Sequence, residues 1–89
     1  MEMDEKIVWM LDHVTKFLLG KNEQYGDSVM QPLRIFSRVD RMEQIRVRID
    51  DKLSRLARGN DDMEMDEDVI LDLIGYLTFL LINMREIQE

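Results

Sequence analysis

The sequence predicts an all-α protein, and three observations lead to that prediction. Apolar residues recur every three or four positions in three long stretches, which is the period of an amphipathic helix. The composition is 45% hydrophobic and 35% charged, which is typical of a globular chain. With 89 residues the chain makes one small domain, 1–89, whose core is limited. We therefore expect three main antiparallel helices plus a short helical turn, completed into a helical bundle by oligomerisation.

Charge and composition exclude several classes of function. A net charge of −7 argues against non-specific binding to nucleic acid or to an anionic membrane. The chain has no cysteine, which excludes a disulfide framework and a zinc–thiolate site. Its first residues lack the basic segment of a secretory signal peptide. The apolar run 69–82 is too short for a confident membrane span and contains Asp72. We expect a cytoplasmic protein with no nucleic-acid partner and no membrane partner.

The first helix is predicted over residues 3–19, and Gly20 is predicted to stop it. Its apolar stripe consists of Ile7, Met10, Leu11, Val14, Phe17 and Leu18. The polar segment 21–28 that follows has two interpretations. It is either a helix–helix loop or a binding loop, in which Lys21 meets a phosphate and Tyr25 stacks on a base.

The second helix is predicted to begin after an N-cap at Ser37 and to end at about Arg58, with Gly59 as its C-cap. Residues 30–36 precede it and contain the only proline, which is tolerated at a first helical position. This segment is predicted to be the short helical turn.

Charged residues flank the apolar stripe of the second helix. Arg48, Lys52 and Arg55 lie on one side, with Asp51 just beyond them, while Glu43 lies on the other side. One interpretation is a solvated surface with ion pairs three or four residues apart, such as Arg48 with Asp51 and Asp51 with Arg55. The other is a set of cations that hold a polyphosphate.

The third helix is predicted from Glu67 to about Ile87, after an acidic loop over 60–66. Its polar residues form one narrow line, which consists of Asp68, Asp72, Tyr76 and Asn83. Asp72 is the only charge between Val69 and Met84, and a carboxylate in an apolar helix needs a partner. A divalent cation shared with Asp68 would supply one. A structural bridge to Arg48 or Arg55 is the other possibility, and spacing alone leaves both open.

Three blocks together resemble the nucleotide-modification-associated domain family, which is related to MazG-like all-α nucleoside triphosphate pyrophosphohydrolases. The blocks are Lys21-Asn-x-x-Tyr25-Gly-Asp-Ser28, Arg48-Ile-Asp-Asp-Lys52-Leu-Ser-Arg55-Leu and Glu67-Asp-x-x-x-Asp72-Leu-Ile-Gly-Tyr76-Leu. They cover roughly residues 16–82. The resemblance implies a helical bundle built from more than one chain and a Mg²⁺-dependent release of pyrophosphate from a nucleotide.

The resemblance also implies roles for individual residues. Asp51, Asp68 and Asp72 would hold Mg²⁺, with Mn²⁺ as an alternative. Glu43 lies outside the three blocks, and we add it, with Asp51, as a candidate catalytic residue. The nucleotide contacts would be Lys21, Tyr25, Arg48, Lys52, Arg55 and Tyr76. The sequence departs from the MazG pattern, because the second helix has no Glu-x-x-Glu and the residue three before Asp72 is Val69.

Two functions of different classes follow from these patterns. The first is a Mg²⁺-dependent nucleoside triphosphate pyrophosphohydrolase, or a relative that binds nucleotides, including modified ones. The second is a non-enzymatic helical oligomerisation or adaptor module with structural Asp–Arg bridges. Both predict a homo-oligomer, a dimer or a tetramer, because the apolar residues of the first and third helices exceed what three helices can bury.

Overall fold

The computed structural model describes residues 1–26, 30, 39–58 and 65–88. This part of the chain forms three helices and no strand: α1 (Met3–Tyr25), α2 (Arg41–Arg58) and α3 (Asp66–Gln88). The prediction of an all-α fold is confirmed. The predicted turn over 30–36, except Met30, and the predicted caps at Ser37 and Gly59 lie outside the described residues.

Helix α1 is six residues longer than predicted, and the predicted stop at Gly20 is wrong. Gly20 lies inside the helix with open space around it. It therefore lowers the stability of the helix only through the low helix propensity of glycine. The helix ends at Gly26, whose φ of 57° places it in the left-handed region and whose N–H donates to the carbonyl of Asn22. Lys21 and the backbone of Tyr25 are therefore helical and do not belong to a loop.

Substitution by alanine is expected to have opposite effects at Gly20 and at Gly26. We expect Gly20→Ala to stabilise the fold by about 0.5–1 kcal/mol, because alanine favours the helix and meets no neighbouring atom. Gly26→Ala should destabilise it by about 1 kcal/mol, because an L side chain is strained at positive φ. Urea unfolding of both variants at one protein concentration measures the two changes. A gain from Gly26→Ala would contradict the assignment of Gly26 as the C-cap.

Helix α2 begins at Arg41, later than the predicted cap at Ser37 implies. Asp40 caps it, since the Asp40 carboxylate accepts a hydrogen bond from the backbone N–H of Glu43 at 3.0 Å. The carbonyl of Asp40 also accepts from the N–H of Gln44 at 3.2 Å. A short acidic side chain before the first turn satisfies a donor that the helix leaves unpaired.

Helices α2 and α3 pack against each other in antiparallel orientation. Three contacts define their register, and they join Lys52 to Asp72, Arg48 to Tyr76 and Arg41 to Asn83. Going back one helical turn along α2 therefore corresponds to going forward one turn along α3. The main core lies beside these contacts, where Ile45 is 1% exposed and Val69 is fully buried, with Leu73 also buried.

Helix α1 packs on a different side of α3. A Cβ atom built on Gly75 would stand 2.9 Å from Cδ2 of Leu18, so the missing side chain of Gly75 lets α1 approach α3 closely. Val14, one turn before Leu18, is buried as well. None of the three helices has an apolar stretch of the length that crosses a bilayer.

Candidate functional site

A row of polar side chains lies along the contact between α2 and α3, and we call it the polar seam. It consists of Arg41, Arg48 and Lys52 from α2 and of Asp72, Tyr76 and Asn83 from α3. Three of the four residues of the predicted polar line of α3, all except Asp68, therefore face α2, and cations of α2 stand opposite them. Helical periodicity explains this alignment, because residues four or seven positions apart lie on one side of a helix.

Asp72 forms an ion pair with Lys52 at one end of the seam. The distance from Nζ of Lys52 to Oδ2 of Asp72 is 2.9 Å, and the two side chains are 13% and 26% exposed. The sequence predicted that a structural bridge would come from Arg48 or Arg55, and that choice is wrong. Lys52 takes this place because the register of the two helices puts it directly across from Asp72. Asp72 is thus half-buried and has a cationic partner.

Arg48 occupies the next turn of the seam. Its guanidinium carbon lies 5.9 Å from the centroid of the Tyr76 ring, within the range of a cation–π contact. Arg48 is exposed, and no carboxylate of the described residues forms an ion pair with it. Its N–H donors therefore face solvent, while the aromatic ring limits where the side chain can go.

Arg41 closes the seam at its other end, and sequence reasoning did not find it. Its Nε donates a hydrogen bond of 2.8 Å to Oδ1 of Asn83, which is only 3% exposed. Its Nη2 also lies 3.4 Å from Oε2 of Glu86. The signal was present, since Arg41 precedes Arg48 by seven residues and so lies on the same side of α2.

A groove of about 510 Å³ opens beside the Arg41 end of the seam. Its walls include Leu18 and Leu19 from α1 and Phe79 and Ile82 from α3. Its polar lining residues are Thr15, Asn22, Arg41, Thr78 and Glu86. The volume falls within the range of small-molecule sites, which are mostly apolar with a few polar groups.

The other predicted site residues lie apart from the seam. Glu43 pairs with Arg46 at 2.6 Å on the opposite side of α2, and Asp51 pairs with Arg55 at 3.2 Å on the surface. The predicted surface pair of Asp51 with Arg55 is thereby confirmed. The predicted pair of Arg48 with Asp51 is wrong, since Arg48 forms no ion pair with a carboxylate of the described residues.

The remaining candidates belong to the ends of α1 and α3. Asp68 is exposed in the first turn of α3. Lys21 is exposed near the end of α1, where its ammonium lies 5.4 Å from the centroid of the Phe17 ring. The side chain of Tyr25 lies outside the described part of the chain.

The Mg²⁺ that the resemblance implies can be tested against these positions. Magnesium in nucleotide sites is usually held by one or two carboxylates, with water and substrate phosphates as its other ligands. Within residues 1–26, 30, 39–58 and 65–88, no three carboxylate or imidazole groups lie close enough together to hold a metal ion. Asp72 is neutralised by Lys52 and Asp51 by Arg55. Among the described residues, the acids of one chain therefore form no cluster that would hold Mg²⁺ without further ligands.

Comparison of the chain with protein-family models, with curated proteins and with solved structures gave no match. The resemblance to MazG-like proteins therefore depends on the three sequence blocks alone. Two of these blocks supply the central residues of the polar seam.

Proposed function

We propose that this protein binds a nucleotide where the polar seam meets the groove, either as a MazG-like nucleoside triphosphate pyrophosphohydrolase or as a non-catalytic relative of one. One juxtaposition supports the proposal. The cations of the seam run along α2 and end at Arg41, and the apolar groove begins at the same residue. A nucleotide has this composition too, with a flat base at one end and an anionic phosphate chain at the other.

Arg48 is the phosphate contact that the geometry favours most. Lys52 and Arg55 are already engaged with Asp72 and Asp51, whereas Arg48 meets only the Tyr76 ring among the described residues. A guanidinium binds phosphate through paired N–H donors, and a phosphate that approached Arg48 would displace no carboxylate. Arg41 and Arg48 are seven residues apart, or about 10 Å along a helix, which separates the base from the phosphates.

Hydrolysis stays a prediction. The acids of the described residues form no cluster that would hold Mg²⁺ by itself, so we derive no hydrolytic step from their geometry. Mg²⁺ or Mn²⁺ bound with the nucleotide is part of the proposal, as is self-association into a dimer or tetramer. The proposed location is the cytoplasm, because a chain without cysteine needs no oxidising compartment.

Calorimetry with unmodified and modified nucleoside triphosphates, with and without Mg²⁺, tests the binding. We expect Arg48→Gln to weaken binding about tenfold or more, because a charge-assisted hydrogen bond contributes roughly 1.5–3 kcal/mol. Arg46→Gln is the matched control, since it removes the same charge from the opposite side of α2, where Arg46 pairs with Glu43. Equal losses in the two variants would show a non-specific electrostatic effect and contradict the site.

Release of pyrophosphate from the nucleotides that bind tests the reaction separately. Turnover with Mg²⁺ or Mn²⁺ would establish the enzyme. Saturable binding without turnover would identify the non-catalytic relative.

A second candidate is the non-enzymatic helical assembly module, and the Lys52–Asp72 pair favours it. The carboxylate of Asp72, which first suggested a metal site, already has a cationic partner in this pair. That partner is Lys52 and not the predicted arginine. This candidate predicts no saturable heat with nucleotide or Mg²⁺. It also predicts no rise in melting temperature when nucleotide is added, because a ligand that does not bind the folded state cannot stabilise it.

A further inference from the structure

The apolar stripe of α1 continues beyond the part of the helix that packs on α3. Met3, Ile7, Met10 and Leu11 form what we call the N-terminal stripe. At 100° per residue they lie on the same side of α1 as Val14 and Leu18, which pack against the rest of the molecule. All four residues of the N-terminal stripe are nevertheless exposed in a single chain. The side of the helix that builds the core thus extends for two further turns whose apolar side chains stay exposed.

Helix α3 also has an uncovered apolar side, which we call the outer face. It consists of Ile70, Leu77, Leu81 and Met84, which are all exposed and fall within about 60° of one another around the helix. The other sides of α3 are occupied, since Asp72, Tyr76 and Asn83 face α2 and Gly75 faces α1. The outer face of α3 is therefore left uncovered in a single chain.

The surface area of the chain indicates what covers these two regions. Its accessible surface is 7337 Å², whereas a compact monomer of this mass has about 5,500 Å². The radius of gyration is 14.8 Å, whereas about 12 Å is expected for this length. The excess amounts to roughly a quarter of the surface, which is the area that each copy of an obligate homodimer buries. A small ligand in the groove cannot remove this much.

The stripe of one chain cannot reach the outer face of its own α3. Helix α1 is unbroken from Met3 to Tyr25 and meets α3 at Gly75. Gly75 lies roughly 150° around α3 from the centre of the outer face. A straight helix docked on one side of α3 cannot also cover the opposite side, so the two apolar regions need a second chain.

We propose that two copies associate reciprocally, with the N-terminal stripe of each copy seated on the outer face of α3 of the other. This arrangement rests on the self-association proposed above and assigns its surfaces. It covers both apolar regions in one closed two-fold dimer. Pairing of stripe with stripe, or of outer face with outer face, leaves the other region exposed. The stripe spans about 13 Å and the outer face about 21 Å, so the stripe fits within it.

Cysteine cross-linking tests the arrangement. The chain has no cysteine of its own, so every disulfide comes from the introduced residues. Ile7→Cys places a thiol on the stripe and Leu77→Cys places one on the outer face. After mild oxidation of the folded protein, we expect covalent dimers from an equal mixture of the two single variants and little from either variant alone. Cross-linking of either single variant as efficiently as the mixture would overturn the proposal in favour of like-on-like pairing. Absence of cross-links from the mixture would overturn it as well.

Light scattering of the unmodified chain separates this inference from the proposed self-association. A monomer at micromolar concentration would overturn both. A dimer whose mixture of cysteine variants does not cross-link would overturn only the reciprocal arrangement. Neither measurement uses nucleotide, so a failure of nucleotide binding leaves the result interpretable.

Charge substitution gives a second test with a matched control. Ile7→Glu should shift the dilution midpoint of the dimer at least tenfold towards higher concentration, because it puts a carboxylate into the interface. Trp9→Glu is the control, since Trp9 is as exposed as the stripe but lies on the other side of α1. There its ring stacks on that of His13, with 5.7 Å between the ring centroids. Far-ultraviolet circular dichroism shows whether both variants stay helical. An equal shift in the Trp9 variant would overturn the assignment of the stripe.

Discussion

Replacing Lys52 by methionine is expected to destabilise the protein by about 2 kcal/mol. The substitution keeps most of the aliphatic volume but leaves the half-buried carboxylate of Asp72 without its partner at 2.9 Å. Removing one member of such a pair costs more than the pair contributes, because the remaining charge stays desolvated. The change is measured as the shift of the urea midpoint at a fixed protein concentration, since a dimer unfolds in a concentration-dependent way.

Two further variants make this prediction specific. Lys16→Met is the matched control, because Lys16 pairs with Asp12 at 3.1 Å on the surface of α1, and we expect a change below about 0.5 kcal/mol. The double variant Lys52→Met/Asp72→Leu should recover most of the lost stability, since both charges are then removed together. If Mg²⁺ restored the stability of Lys52→Met alone, Asp72 would be a metal ligand once Lys52 is removed, which favours the pyrophosphohydrolase.

Truncating Ile45 to alanine is expected to have a larger effect, about 3 kcal/mol. Ile45 is the most buried residue of α2, and it lies between the Arg41 and Arg48 contacts of the seam. The loss combines the missing apolar contacts with the cavity that remains. For a domain of this size it corresponds to a fall in melting temperature on the order of 15 °C.

Val47→Ala is the control for this prediction. Val47 is 62% exposed on the same helix, so its truncation should change stability by less than about 0.5 kcal/mol. Calorimetric melting of both variants measures the difference. A loss at Val47 as large as that at Ile45 would mean that Val47 is covered in solution, which would point to a contact between copies on that side of α2.

Much of the fold follows from the sequence, and the polar line of α3 shows why. Periodicity alone placed Asp72, Tyr76 and Asn83 on one side of that helix, and the structure turns that side towards α2. The period of a helix fixes relative direction along one element, so such predictions are dependable. Predictions of where a helix ends are less dependable. Gly20 and Gly26 carry the same local signal, and only the left-handed backbone at Gly26 marks the stop.

The partner of Asp72 could not be predicted, because it depends on register. Arg48, Lys52 and Arg55 all lie on one flank of α2, three or four residues apart. Periodicity cannot say which of them stands opposite a given residue of another helix. That choice is made by packing around Ile45 and Val69, which involves both helices at once. The same reason explains why Arg41 was missed, since its role appears only when Asn83 stands opposite it.

The spacing of the residues in the seam affects which register α2 and α3 adopt. If α2 slid by one turn along α3, Arg48 would stand opposite Asp72 and Lys52 opposite Asp68, so charge pairing alone tolerates both alignments. Asn83 does not tolerate the slide. It is 3% exposed and takes its hydrogen bond from Arg41, so a shift would leave its amide buried and unpaired. One neutral amide therefore adds to the packing around Ile45 and Val69 a preference for one alignment that the ion pairs alone do not supply.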